Sequence, residues 1–576
     1  MTRPLTDRGV TGLSAEVTGP ALAVPAWLRG EGRVLAESVA VGLVVGAVHL
    51  LFRLSSEFLV GALNDDGVYV TLGKAIAEGA GYRSIHLVGA PVQVKYPPGF
   101  PLLLAIPWRL AGSLGAVRAT VAVLNLAAAA AAAGFIWWFG RRSLRVAPWP
   151  LAVCAASTFL LEGTIQYFNI PLSEPYLVLG WAAALVIAYP LFDAGPLDAR
   201  RVGRAVALGL VLAATALFRS VGMALLPALP IALAVHRRWR EAALCAVGLL
   251  VPLIAWGTLH AAWIARGPVS SSPEELSYLR WLGVNGPVAL LAYPAKTIAA
   301  NGVEYVPKLA SYLFSSQVIG VCIVGLAIVA VAVACVRLRR THTDLVLTVI
   351  AVCALTLLWP FAQGRLLLPL LPFLGLLVAT TVDAGVRRSP ERVKWVLTAV
   401  LGFAALAMAT RQVQLRAAAE RALRTGVLPP PQDLSPTLTL AVRSRFIDQV
   451  VRWVRANTTP EDRIMVDAPP AVYLYTGRRT VVAQPTESRL APSVFGVPGR
   501  YLAERILADS VTLVVWAPPA PGLQSDILTI QHRCPRVLER KPSDFPAYFH
   551  VARDERCLRE RVLTATDSTR GPAERP

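Results

Sequence analysis

The chain has 576 residues, 55% of them hydrophobic and only 16% charged. A soluble domain carries about 25% charged residues, so much of this chain has no water-facing surface. The formal charge of +20 does not point to nucleic acid, because the arginines stand in short clusters between apolar runs.

The first 35 residues mix Pro, Gly and Arg without period and read as a disordered cytoplasmic tail. They carry no h-region or cleavage site of a secretory signal. Eleven apolar runs follow, at 38–54, 119–139, 146–161, 176–192, 205–218, 221–235, 242–264, 318–336, 345–361, 366–382 and 396–409. A span needs roughly 20 residues. Read as alternating crossings, these runs put every basic cluster on the cytoplasmic side, as the positive-inside rule requires. The clusters are Arg141, Arg142 and Arg145; Arg200, Arg201 and Arg204; Arg237, Arg238 and Arg240; Arg337, Arg339 and Arg340; and Arg387, Arg388, Arg392 and Lys394. The run 101–110 is too short to cross, and counting it would put every cluster outside. It is expected to lie at the outer interface within a first external loop, 55–118.

Beyond a linker at 411–435 the composition turns polar. An amphipathic helix at 446–456, β-rich runs at 464–467, 480–483 and 511–516, and a helical run at 501–508 predict a small α/β domain over 436–562, before a disordered tail at 563–576. The expected fold is an all-α polytopic membrane protein of about 11 transmembrane helices with a small extracytoplasmic α/β C-terminal domain.

The seven cysteines form no CxxC, and the seven histidines are scattered, so no zinc-type cluster is expected. Cys154, Cys245, Cys322, Cys335 and Cys353 lie in apolar segments as small core residues. Cys534 and Cys557 lie in the polar C-terminal region, on the side where disulfides persist, and are a candidate pair.

The first loop carries the densest chemistry: Asn64-Asp65-Asp66-Gly67-Val68-Tyr69, then Gly79-Ala80-Gly81-Tyr82, then Lys95-Tyr96-Pro97-Pro98-Gly99-Phe100-Pro101. On a helix, Asp65 and Tyr69 share a face at i, i+4. Glu174 opens a span at its outer end, where the plain alternative is a helix start capped by Ser173 with Glu174 on the dipole. Arg219 and Arg365 stand between apolar runs at outer span ends, where they either face a partner or snorkel to the interface. Carboxylates and cations thus converge on one side. That set suits transfer of a sugar from a polyprenyl phosphate: Lys95, Arg219 and Arg365 for the leaving phosphate, and Asp65 or Asp66 as base for an acceptor hydroxyl.

The order Asp-Asp-x-x-Tyr, Gly-x-Gly-Tyr, Lys-Tyr-Pro-Pro-Gly-x-Pro, Ser-Glu-Pro and Arg-x-x-x-Pro resembles the GT-C membrane glycosyltransferases. It is nearest the bacterial branch related to protein O-mannosyltransferases and lipid A aminoarabinose transferases. The resemblance covers about residues 36–410. It implies a catalytic set of Asp65, Asp66 and Glu174, donor-phosphate binding by Lys95, Arg219 and Arg365, and substrate positioning by Tyr69, Tyr82 and Tyr96. It implies no certain cofactor; a divalent cation, Mg or Mn, would be held by Asp65 and Glu174. The implied partners are a polyprenyl-phosphate-linked sugar, an envelope acceptor (glycan, lipid or protein) and the bilayer, with no nucleic acid. The implied place is the bacterial inner membrane, amino terminus cytoplasmic and C-terminal domain outside. Lys-Tyr-Pro-Pro stands where the aminoarabinose transferases have Lys-Pro-Pro and the mannosyltransferases His-Pro-Pro, so neither acceptor transfers to this chain. A transporter or flippase of lipid-linked sugars is the rival reading; it predicts inverted repeats and charges near mid-bilayer, and neither is present in the sequence.

Topology reporters fused at Arg141, Arg238 and Arg388 are expected to read cytoplasmic, and those at Gly89 and Thr480 external. A cytoplasmic Thr480 would overturn the alternation.

Overall fold

The computed structural model describes residues 31–53, 58–193, 195–267, 287–359, 362, 364–425, 436–483, 499–516, 521–540, 547–552 and 554–564. The expected tail up to residue 30, the end of the linker at 426–435 and the tail from residue 565 lie outside the described residues.

Helix α1 (Glu31–Phe52) begins inside the segment expected as tail. The first loop holds α2 (Asp65–Ala77) and α3 (Gly99–Ala111), and α4 (Leu114–Arg142) returns across the bundle. Ser113 caps α4, its Oγ accepting the Ala116 amide. Helices α1 and α4 touch through their backbones: a Cβ on Gly42 would stand 2.7 Å from the Ala130 carbonyl oxygen. Small residues permit that approach in an apolar bundle. Helices α5 (Pro148–Phe159) and α6 (Glu162–Phe168) are one apolar segment bent by 62°. Then come α7 (Glu174–Ala188), α8 (Ala199–Phe218), α9 (Leu225–Val235) and α10 (Trp239–Arg266). Helix α11 (Pro287–Leu313) precedes α12 (Gln317–Leu338), α13 (Thr343–Leu357), α14 (Gly364–Leu367), α15 (Leu371–Arg388) and α16 (Glu391–Thr425).

By length and composition, seven of these helices can cross a membrane, or eight if α5 and α6 are one span. The expected count of about eleven is therefore not what the helices establish. The reason is breakage: the run at 221–235 enters through a 3-10 turn, the run at 345–361 is helical only to Leu357, and the run at 366–382 is split between α14 and α15. Helix α11 was not anticipated, and α16 continues through much of the expected linker. Leu43, Leu51, Val251, Ile254, Leu326, Val329, Phe403 and Leu406 are exposed, as a lipid-facing belt would be.

The basic clusters gather at one end of the bundle. Arg141 pairs with Glu37 at 2.9 Å and Arg201 with Glu241 at 2.7 Å. Arg387 donates to the Arg145 carbonyl at 2.8 Å, and His236 meets Thr343 at 2.9 Å.

Helix α17 (Pro436–Asn457) opens the C-terminal domain. It continues with β1 (Ile464–Val466), α18 (Pro469–Thr476), β2 (Thr480–Val482), α19 (Arg500–Asp509), β3 (Leu513–Trp516), α20 (Pro521–Arg533), β4 (Leu538–Arg540) and β5 (Ala547–Val551). The sheet order is β2-β1-β3-β5-β4, parallel for the first three strands and antiparallel for the rest. Cys534, just past α20, is bonded to Cys557 in the last turn, 23 residues away.

A bridge closing a loop of that length contributes roughly 3 kcal/mol through the unfolded chain. Thiol labelling of the denatured, non-reduced protein is expected to modify Cys154, Cys245, Cys322, Cys335 and Cys353 and to spare Cys534 and Cys557 until reductant is added. Labelling of all seven without reductant would overturn the pairing.

Candidate active site

The first loop turns back on itself before α2. Gly61 takes a φ of 97°, which glycine enters at low cost, and Asn64 a φ of 68° with ψ −60°, a tight γ-turn closed by the Asp65 amide on the Leu63 carbonyl at 2.9 Å. The Asp66 carboxylate closes this turn, accepting the Gly61 amide at 2.6 Å and the Leu63 amide at 3.0 Å. Burial pushes its pKa up to about 6, against the pull of these amides and that of Gly67, and the adjacent Asp65 adds to the rise.

Asp65 lies one residue earlier, about 100° round the helix, and points elsewhere. Its Oδ1 accepts the Tyr96 hydroxyl at 2.5 Å, and its Oδ2 is bound by Arg365. Burial would raise its pKa. Arg365, the Tyr96 hydroxyl and Lys95 outweigh burial and hold it at about 2.

From Asp65 the contacts run round a closed ring. Arg365 Nε stands 3.6 Å from Glu174 Oε1, and Glu174 Oε2 meets Arg219 Nη1 at 2.9 Å. Arg219 Nη1 donates to Ser173 Oγ at 3.3 Å, and Ser173 donates to the Tyr69 hydroxyl at 3.2 Å. Tyr69 is four residues from Asp65 on α2, which closes the ring. The Glu174 side chain is 0% exposed. Ser173 makes no side-chain cap for α7, so the capping alternative does not describe it. Nor do Arg219 and Arg365 snorkel: Arg219 is 7% exposed, and both bind buried carboxylates.

Three further residues were expected here. Tyr96 packs edge-on against Tyr69 at 5.3 Å and holds Asp65 directly. Lys95 is partly exposed with its Nζ 5.8 Å from the Tyr96 ring, close enough to act on Asp65. Tyr82 stands one layer back: its hydroxyl donates to the Tyr96 carbonyl at 2.9 Å while its ring packs on Trp256 and Trp263. The structure thus gathers Asp65, Glu174, Arg219, Arg365, Tyr69 and Tyr96. Asp66 is turned to the loop backbone instead, and Tyr82 stands behind Tyr96.

Sequence reading missed the support for Arg365. Asn301 on α11 donates to the carbonyls of Leu357 and Trp359 at 2.8 and 2.6 Å, and Lys308 donates to that of Ala362 at 2.6 Å. These bonds brace the chain that leads into α14. Beside Arg219 is a small cleft of about 10 Å³, walled by Leu177, Val221, Leu355, Trp359 and Leu366.

The fit to Mg or Mn is poor. Among the described residues no three His, Cys, Asp or Glu side chains gather at a metal's spacing. Arg365 bridges Asp65 and Glu174, so the two oxygen donors a hard cation would need are already neutralised. No step is derived through a metal.

No family model and no curated protein matches the chain. Among solved structures it is similar to ArnT from Cupriavidus metallidurans in the apo state, at 16% identity and TM-score 0.48 over 89% of this chain and 97% of that one. It is similar to the same protein bound to undecaprenyl phosphate at 16% identity and TM-score 0.46, over 91% and 99% of the two chains. It is similar also to the Archaeoglobus fulgidus oligosaccharyltransferase in the apo form, at 15% identity and TM-score 0.48 over 84% and 69%.

Proposed function

We propose that the chain is an inverting glycosyltransferase that moves a hexosyl or pentosyl group from a polyprenyl phosphate to an envelope glycan, lipid or protein. The observation that carries this reading is the alternating chain Asp65–Arg365–Glu174–Arg219, two carboxylates and two arginines beside a small apolar cleft. An isoprenoid chain needs an apolar wall, and its phosphate needs fixed cations at the end of that wall. In this reading the chain crosses a bacterial inner membrane about eleven times with the site outside.

The acceptor oxygen attacks the anomeric carbon, and the bond from that carbon to the phosphate oxygen breaks. The electron pair leaves with the lipid phosphate, where Arg219, Arg365 and Lys95 stabilise it. Asp65 takes the acceptor's proton. Against the rise that burial would cause, Arg365 keeps Asp65 a weak base at about 2. A donor phosphate competes for the Arg365 charge, so loading the donor raises the proton affinity of Asp65. Glu174 holds the two arginines apart and aimed.

Asp65→Asn is expected to lower transfer by about 100- to 10,000-fold, the usual weight of a general base. Undecaprenyl phosphate binding and membrane insertion should be kept, because Asn fills a helix-start role about as well as Asp. Mass spectrometry of envelope glycans and glycolipids from complemented deletion cells reads the transfer. Near-normal product from the Asn variant would sink the base assignment.

Lys95→Ala, Arg219→Gln and Arg365→Gln are each expected to weaken undecaprenyl phosphate binding by the purified protein at least tenfold, the scale of one charge-assisted bond at about 1.5–3 kcal/mol. Unchanged affinity in all three would remove the phosphate site.

A further inference from the structure

Four backbone amides of the turn before Asp65 donate to side chains. Asp66 takes two of them, Gly61 and Leu63. The C-terminal domain takes the other two: the Leu59 amide donates to Ser444 Oγ on α17 at 3.3 Å, and the Val60 amide to the Tyr475 hydroxyl on α18 at 3.1 Å. Helix α18 also lies against the glycines of this turn. A Cβ on Gly61 would come within 2.7 Å of Ala471 Cβ, and one on Gly67 within 2.6 Å of Pro470 Cβ. Phe58 and Ala62 share one apolar core with Ala468, Ala471 and Val472.

A second attachment lies further along the same loop. The Val88 amide donates to the Thr480 carbonyl at 3.1 Å, and the Thr480 amide to the His86 carbonyl at 3.0 Å. Residue Leu87 is thereby bridged in parallel to the edge of β2. The loop is held on both sides of α2, once before Asp65 and once after it.

We propose that the C-terminal α/β domain is the positioning element of the transfer site, with Tyr475 and Ser444 as positioning residues that fix the turn from which Asp65 is aimed. This rests on the transferase reading for its consequence, though not for its geometry. The domain fixes φ and ψ of the residues leading into α2, so Asp65 meets Arg365 and Tyr96 without a search. Backbone freedom at the turn would spread the carboxylate over positions from which an acceptor proton is out of reach. Among the described residues no side chain of the domain bonds Glu174, Arg219 or Arg365, although Leu172 and Leu368 beside them share its apolar core. Loss of the Tyr475 bond to the turn therefore bears on proton removal and leaves the cations that meet the lipid phosphate in place.

The test uses the full-length protein in nanodiscs. Tyr475→Phe removes one acceptor and leaves the ring of Tyr475 in its packing; Gly61→Ala adds the Cβ that meets Ala471. Hydrogen exchange is expected to quicken over residues 58–69 by about five- to tenfold in Tyr475→Phe, the effect of losing one hydrogen bond, with exchange over 174–188 unchanged. Undecaprenyl phosphate affinity should stay within about twofold while envelope product falls at least tenfold, a loss in turnover with donor binding intact. Exchange over 58–69 that matches the parent would overturn the proposal, even if Gly61→Ala fails to fold. Faster exchange with full product would overturn it as well, since the turn would then need no clamp. If Asp65→Asn itself keeps normal product, the transferase reading fails, while the exchange result still judges the clamp.

Discussion

A carboxylate with no water around it must be neutralised by something fixed, and Glu174 is that carboxylate. Removing its charge from water costs several kcal/mol, which a cation in good geometry offsets. Here two guanidiniums share it, and the second is also committed to Asp65. The four charges sum to zero. Each arginine is nevertheless held by groups that leave some of its donors unused: Nε of Arg219 and Nε of Arg365 have no hydrogen-bond partner. A site of this kind is balanced, not saturated. An incoming anion finds donors already oriented, and the reorganisation it demands is small.

Adjacent identical residues have been given opposite work by helical geometry. Asp65 and Asp66 differ by a rotation of about 100°, which sends one carboxylate to a guanidinium and a phenol, and the other to backbone amides. One is held strongly acidic and the other is pushed up to about 6. The division lets a single turn supply both the carboxylate that meets Arg365 and the brace that keeps it still.

Much of this was legible in the sequence because the relevant residues interrupt apolar runs. Arg219 and Arg365 stand out for that reason, and the expectation that Asp65, Glu174 and both arginines lie together followed from the basic clusters alone. Three matters were hidden. Asn301 and Lys308 lie on a helix whose face mixes Pro, Asn, Lys and Glu with apolar residues, so it reads as loop rather than span. The Asp65–Asp66 pair carries no signal of which member faces which way. The attachment of Tyr475 and Thr480 to the first loop joins residues some 400 positions apart, and no local pattern encodes such a contact. The span count was left unsettled for the converse reason: an apolar run shows that a segment can sit in lipid, while the helix breaks near residues 220 and 369 are set by packing.

The bridge between Leu87 and Thr480 also affects how copies of the chain meet. A terminal strand with free amides and carbonyls invites a strand from another molecule, and crowded export across one membrane brings such molecules close. At β2 that invitation is withdrawn, because the chain's own loop occupies the outer backbone groups of Thr480. The opposite border is β4, where Glu539 and Arg540 are exposed and carry charge into any approaching strand. Among the described residues the sheet therefore has one covered margin and one charged margin. The C-terminal domain can therefore fold beside a second copy without adding that copy's strands to its own.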